Sequence, residues 1–106
     1  MEGLQNKDKS IKVIWSFISE KFGVNFFSIV DFWDADNYAF GFKRNGKLIY
    51  ISTWDFRDYQ GNGIKCFSEF ELIDEKSYET KETIKRMNGI LLDNLLNEIK
   101  NFITNK

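Results

Sequence analysis

Trp33-Asp34-Ala35-Asp36-Asn37-Tyr38 and Trp54-Asp55-Phe56-Arg57-Asp58-Tyr59 share one pattern: Trp-Asp, then Asn or Asp three residues after that Asp, then Tyr. Carboxylates beside aromatic rings could do three kinds of chemistry. A pair such as Asp34 and Asp55 could divide acid and base roles on a sugar, with the rings stacked on it. Asp34, Asp36 and Asp58 could hold Mg²⁺ or Ca²⁺ through oxygen. The whole group could instead receive a basic partner, its carboxylates pairing with Lys and Arg while Trp and Tyr supply desolvated anchors.

The rest of the sequence narrows these options. There is no histidine, so there is no ordinary general base near neutral pH and no imidazole ligand. The segment "DADN" (34–37) lacks the following glycine and distal Glu of an EF-hand loop. "GNG" (61–63) lacks the Lys-Ser/Thr of a phosphate loop and opens no helix. A single cysteine, Cys66, excludes an internal disulfide and multi-cysteine zinc patterns. With no base to activate it, Cys66 is expected as a reduced, half-buried strand residue. Lys+Arg number 15 against 16 Asp+Glu, and the aromatics sit among anions, which argues against nucleic-acid binding. A chain of 106 residues with no evident deep cleft is poorly suited to a glycosidase. The expectation is a non-enzymatic protein with no cofactor and no metal. The bland alternative is structural: Asp and Asn favour turns by bonding local N–H groups, and Trp and Tyr beside a turn often cover the end of a core.

The elements that must position these residues can be read from periodicity. "SIKVIWSFISEKFG" (10–23) predicts a helix capped by Ser10 or Asp8, stopped at Gly23, with Ile11, Ile14, Trp15, Ile18 and Phe22 inward. "NFFSIVDFW" (25–33) predicts a first strand. "YAFGFKR" (38–44) and "KLIYISTW" (47–54) flank Asn45-Gly46, the strongest short hairpin signal. A two-residue turn fixes the register, so paired numbers sum to 91, with Phe40, Phe42, Ile49 and Ile51 on a core face. "IKCFSEFELID" (64–74) predicts a fourth strand. "TKETIKRMNGILLDNLLNEIKNFI" (80–103) predicts one long helix capped by Thr80, with Ile84, Met87, Leu91, Leu95, Ile99 and Phe102 as its stripe. Gly89 inside it suggests close packing against the sheet. The fold class expected is α+β: a four-stranded antiparallel meander flanked by an N-terminal and a long C-terminal helix, one domain over 1–106, with 1–9 a flexible lead-in.

In such a meander the first and third strands run the same way, so their C-terminal ends share an edge. The two copies should therefore converge, gathering Asp31, Asp34, Asp36, Asp55 and Asp58 with Arg57 as the nearby cation. Lys43, Arg44 and Lys47 would lie at the opposite edge. The expected partner-binding residues are Trp33, Asp34, Asp36, Asp55, Arg57, Asp58 and Tyr59, with Trp54 and Tyr50 beside them. "MEGLQNKDKS" carries no apolar leader core, and no run of about 18 apolar residues occurs, so the chain is expected to be cytosolic and off the membrane.

The helix–meander–helix order, the size and the segment "FWDADNYAFGFKRNGKLIYISTWDFRDY" together resemble bacterial toxin-immunity proteins, particularly those of contact-dependent growth-inhibition and related polymorphic toxin systems. The resemblance covers roughly residues 26–60 and transfers no site residue position by position. It implies a small, cytosolic, non-enzymatic protein that binds one cognate toxin domain, often a nuclease whose basic active site grips phosphates. Two alternatives stand beside it. One is a phage-type inhibitor of a host defence protein, acidic in the manner of nucleic acid. The other is a homodimeric scaffolding module joined through the edge of the fourth strand, where Cys66, Phe67 and Phe70 lie.

Overall fold

The computed structural model describes residues 4–30 and 35–104. Helix α1 spans Lys9–Phe22, and Asp8 is its cap: the carboxylate accepts from the Ser10 N–H at 3.0 Å and from the Ser10 hydroxyl at 2.6 Å. Gly23 ends it at φ +112, with its N–H on the Ser19 carbonyl. Ile11, Ile14, Trp15 and Ile18 are buried, as the helical spacing requires. The lead-in is anchored from Leu4 onward: Leu4 is in the core, and the Asp8 N–H bonds the Asn37 carbonyl.

Strands β1 (Ser28–Val30), β2 (Ala39–Arg44) and β3 (Lys47–Ser52) form an antiparallel meander. The β2–β3 register is the one the Asn-Gly turn imposes, from Arg44 opposite Lys47 to Ala39 opposite Ser52. Asn45 and Gly46 sit at φ 50 and 78, the positive values a tight hairpin turn needs. Phe40, Phe42, Ile49 and Ile51 are fully buried beneath α1, with Trp15 edge-on to Phe40 at 6.0 Å. The third strand stops two residues earlier than its apolar run suggests, because Trp54–Phe56 turn into a short 3₁₀ segment.

Beyond β4 (Lys65–Ile73) the long helix expected over 80–103 does not form. Its first half is a fifth strand, β5 (Thr80–Leu91), paired antiparallel with β4, and only Leu92–Thr104 is helix α2. Among the described residues the sheet therefore has five strands in sequential order, not four. Thr80 starts the strand instead of capping a helix, and its hydroxyl bonds the Glu71 carboxylate. Twelve residues of β5 oppose nine of β4, the surplus being Lys81, Ile84 and Gly89 at three irregularities. Each extra residue breaks the period-two alternation of a strand. The sheet side chains packed on the core, Met87 and Ile90, thus fall three apart and imitate helical spacing. Lys, Glu, Arg and Met are also good helix formers, so composition and spacing misled together, and pairing with β4 overrides both. The fourth strand is consequently interior. Among the described residues the edge strands are β1 and β5.

Both helices lie on the same face of the sheet. Leu92, Leu95, Ile99 and Phe102 of α2 join α1 and the inner faces of β2–β4 in one cluster. Cys66 is part of it and fully buried rather than half-buried; burial pushes its thiol pKa up to about 12. A smaller cluster of Val30, Leu48 and Ile73, flanked by Tyr78, holds the opposite face. No helix is long and apolar enough to cross a membrane among the described residues.

Candidate functional site

One end of the sheet gathers the start of α1, the start of α2, the end of β3 and the start of β4. The Ser10 and Thr53 hydroxyls meet at 2.8 Å, and the Leu92 N–H bonds the Ile64 carbonyl at 3.0 Å. Both helices thus point their N-termini at this end. Some of its acidity has a structural cause, because carboxylates stabilise helix N-termini. Asp8 caps α1, and the bonds it accepts from Ser10 hold its pKa below the usual carboxylate value. Asp93 sits in the first turn of α2. At the other end Lys47 donates to the Phe102 carbonyl at 2.7 Å, near the C-terminus of α2, and Arg44 donates to the Phe26 carbonyl at 2.9 Å. Lys47 thus complements the C-terminal end of the α2 dipole, but the basic edge expected there does not form, because the β4–β5 turn brings Asp74 and Glu75 beside Asn45-Gly46.

Of the residues expected at the acidic edge, Trp33, Asp34 and Asp31 lie outside the described residues. The described parts of the two copies do meet: Tyr38 of the first and Trp54 of the second are in edge-to-face contact at 5.1 Å. Asp36 is exposed, and its Oδ1 accepts from the Tyr38 N–H at 2.9 Å while its carbonyl accepts from Lys7 Nζ at 2.6 Å. Its side chain therefore has a turn-forming task. Asp55 and Asp58 differ. Both are exposed, and among the described residues neither carboxylate takes part in a hydrogen bond or ion pair. Trp54 is 49% exposed, with Arg57 stacked 3.6 Å from its ring centroid. Tyr59 is 39% exposed.

Tyr50 is set back on the sheet, facing Phe67 across the strands at 6.2 Å. Its pKa is raised, first by burial and then by the field of Asp36, Glu69 and Asp55. Asp36 and Asp55 therefore act on a common point although they come from different copies. Tyr50 belongs to the rear of the surface, and Trp54 and Tyr59 to its front.

Sequence reasoning missed the residues that fasten the Trp54–Tyr59 segment to the sheet. Lys65 Nζ sits between two rings, 5.5 Å from the centroid of Phe56 and 5.1 Å from that of Tyr59. The Phe56 ring lies over Gly89, where an added Cβ would meet it at 3.3 Å. Tyr59 folds onto Gly61 so closely that a Cβ there would fall 2.1 Å from its hydroxyl. No local signal marks Gly89 as the floor of this loop, because the contact spans 33 residues and depends on the β5 bulge.

The arrangement offers two exposed carboxylates that enter no hydrogen bond or ion pair among the described residues, beside a half-exposed Trp on a braced loop; Asp55 also lies in the first turn of the 3₁₀ segment. Among the described residues no three acidic or thiol groups assemble into a metal site. No protein-family model, no curated protein and no solved structure matches the chain.

Proposed function

We propose that this chain is a non-enzymatic immunity protein that binds and neutralises a cognate, basic, nuclease-type toxin domain through its acidic aromatic edge. The observation that carries the reading is the pairing of half-exposed Trp54 with Asp55 and Asp58, exposed carboxylates that take part in no hydrogen bond or ion pair among the described residues. Carboxylates placed this way steer a basic partner and fix its register, while Trp and Tyr supply anchors that lose water on contact. Tyr59 and Tyr50 extend the surface, and Asp36 contributes charge from its turn.

Homodimerisation through a sheet edge finds less support. The long free edge is β5, which is interrupted by bulges and carries Lys81, Glu82, Lys85 and Arg86. Bulges and charges are the devices by which edges avoid pairing.

The test is co-purification of the tagged chain with the product of the neighbouring upstream gene. A basic nuclease-like domain should co-elute, be inhibited, and be released at high salt. Replacing Asp55 and Asp58 together by Lys should weaken the complex by at least about 30-fold, given the roughly 2–5 kcal/mol lost when close interfacial charges are disrupted, with melting unchanged. Retention of full affinity by that variant would remove this edge from the binding surface.

A further inference from the structure

The front face of Trp54 is already occupied by a cation. The Arg57 guanidinium lies 3.6 Å from the ring centroid, and its Nη1 donates to the Trp54 carbonyl at 2.6 Å. Other cation–ring pairs in the molecule tie distant parts of the chain together. Arg44 over Phe26 joins β2 to the segment after α1, Lys47 over Phe102 joins β3 to α2, and Lys65 over Phe56 and Tyr59 joins β4 to the loop. Arg57 and Trp54 are three residues apart in one short turn, and both are exposed. Their contact braces no other element. Among the described residues no carboxylate lies within ion-pair distance of Arg57 either.

We propose that the Trp54 face is a receptor for an arginine side chain of the basic partner, and that Arg57 is its internal placeholder, displaced when the partner docks. The inference rests on the partner-binding reading above and deepens it. Trp is the best ring acceptor for a guanidinium, and its occupancy by one shows that the geometry fits this group. An exposed contact of this kind is worth only about two- to fivefold in an equilibrium, so an incoming arginine that also reaches Asp55 or Asp58 displaces Arg57 readily. The placeholder keeps a large ring from lying bare among carboxylates in the free chain. It also sets a threshold, since a cation without further contacts gains nothing over Arg57.

The probe is a labelled hexa-arginine peptide, titrated at low ionic strength into the wild-type chain, Arg57→Ala, Trp54→Leu and the double variant. Leu keeps an apolar contact with Tyr38 while removing the large π face, and melting curves confirm folding. Arg57→Ala should bind about two- to fivefold tighter than wild type. That gain should vanish in the Trp54→Leu background, because there is then no face to vacate. An equal gain in both backgrounds would reduce Arg57 to its long-range charge and overturn the proposal, as would weaker binding by Arg57→Ala or no peptide binding by any variant. None of these failures bears on the cognate complex. If that complex still forms and Asp55→Lys with Asp58→Lys breaks it, the immunity reading stands without the placeholder.

Discussion

The two hairpins of this sheet are built on opposite principles. The β2–β3 hairpin turns in two residues, pairs six residues with six, and sends alternate side chains to opposite faces without interruption. The β4–β5 hairpin turns through a longer segment in which Asp74 organises the backbone, accepting from the N–H groups of Lys76 and Ser77 at 2.8 and 2.9 Å. It then gains a residue on one strand three times. The first hairpin builds the core, and its inner residues are fully buried. The second supplies an edge and a floor. Its irregularities place Gly89 under Phe56 and leave Ile84 47% exposed. Regular pairing concentrates burial, whereas bulges trade burial for control over where neighbouring segments rest.

That contrast can be broken by substitution. The largest effect is expected at Phe42→Ala, which empties a fully buried position beneath α1 and in ring contact with Trp15 and Phe27. It should cost about 3–5 kcal/mol in denaturant unfolding. A cost below 1 kcal/mol would mean that the regular hairpin does not hold the core.

A middle effect is expected at Gly89→Ala. The residue has φ +93, and a Cβ would fall 3.0 Å from Lys65 Cε and 3.3 Å from the Phe56 ring. Backbone strain alone sets a loss of about 1–2 kcal/mol. The displaced loop should also change the fluorescence or near-ultraviolet dichroism contributed by Trp54. Were 80–103 one helix, the same substitution would instead stabilise by up to about 1 kcal/mol, so the sign of the change decides.

The smallest effect is expected at Ile84→Ser, within about 0.5 kcal/mol of wild type, as for surface positions away from special features. In a helical stripe Ile84 would be a core residue, and its truncation would cost several times more.

The candidate site was legible in the same uneven way. Carboxylates and aromatics repeated at two strand ends could be foreseen to converge, because a meander returns every second strand to the same edge. The Tyr38–Trp54 contact brings the described parts of the two copies together by continuing the β2–β3 register; the end of the first copy's strand, 31–34, lies outside the described residues. The division of labour among the Asp residues could not be foreseen. Asp36 and Asp8 serve the backbone while Asp55 and Asp58 do not, and which N–H lies near a carboxylate depends on turn geometry that residue type leaves open.

Sequence by itself determined α1, the Asn45-Gly46 turn, the β2–β3 register and the core face of that ribbon. Each is governed by interactions between residues close along the chain: a cap two residues from its N–H, a turn that needs two positive φ angles, a strict alternation. Only the tertiary structure decided that 80–91 is a strand. Its local propensities favour a helix, and the opposing contribution comes from backbone pairing with β4 and from burying Met87 and Ile90 against residues far away in sequence. The seat of the acidic loop was decided in the same way, by a glycine 33 positions downstream of the ring it supports.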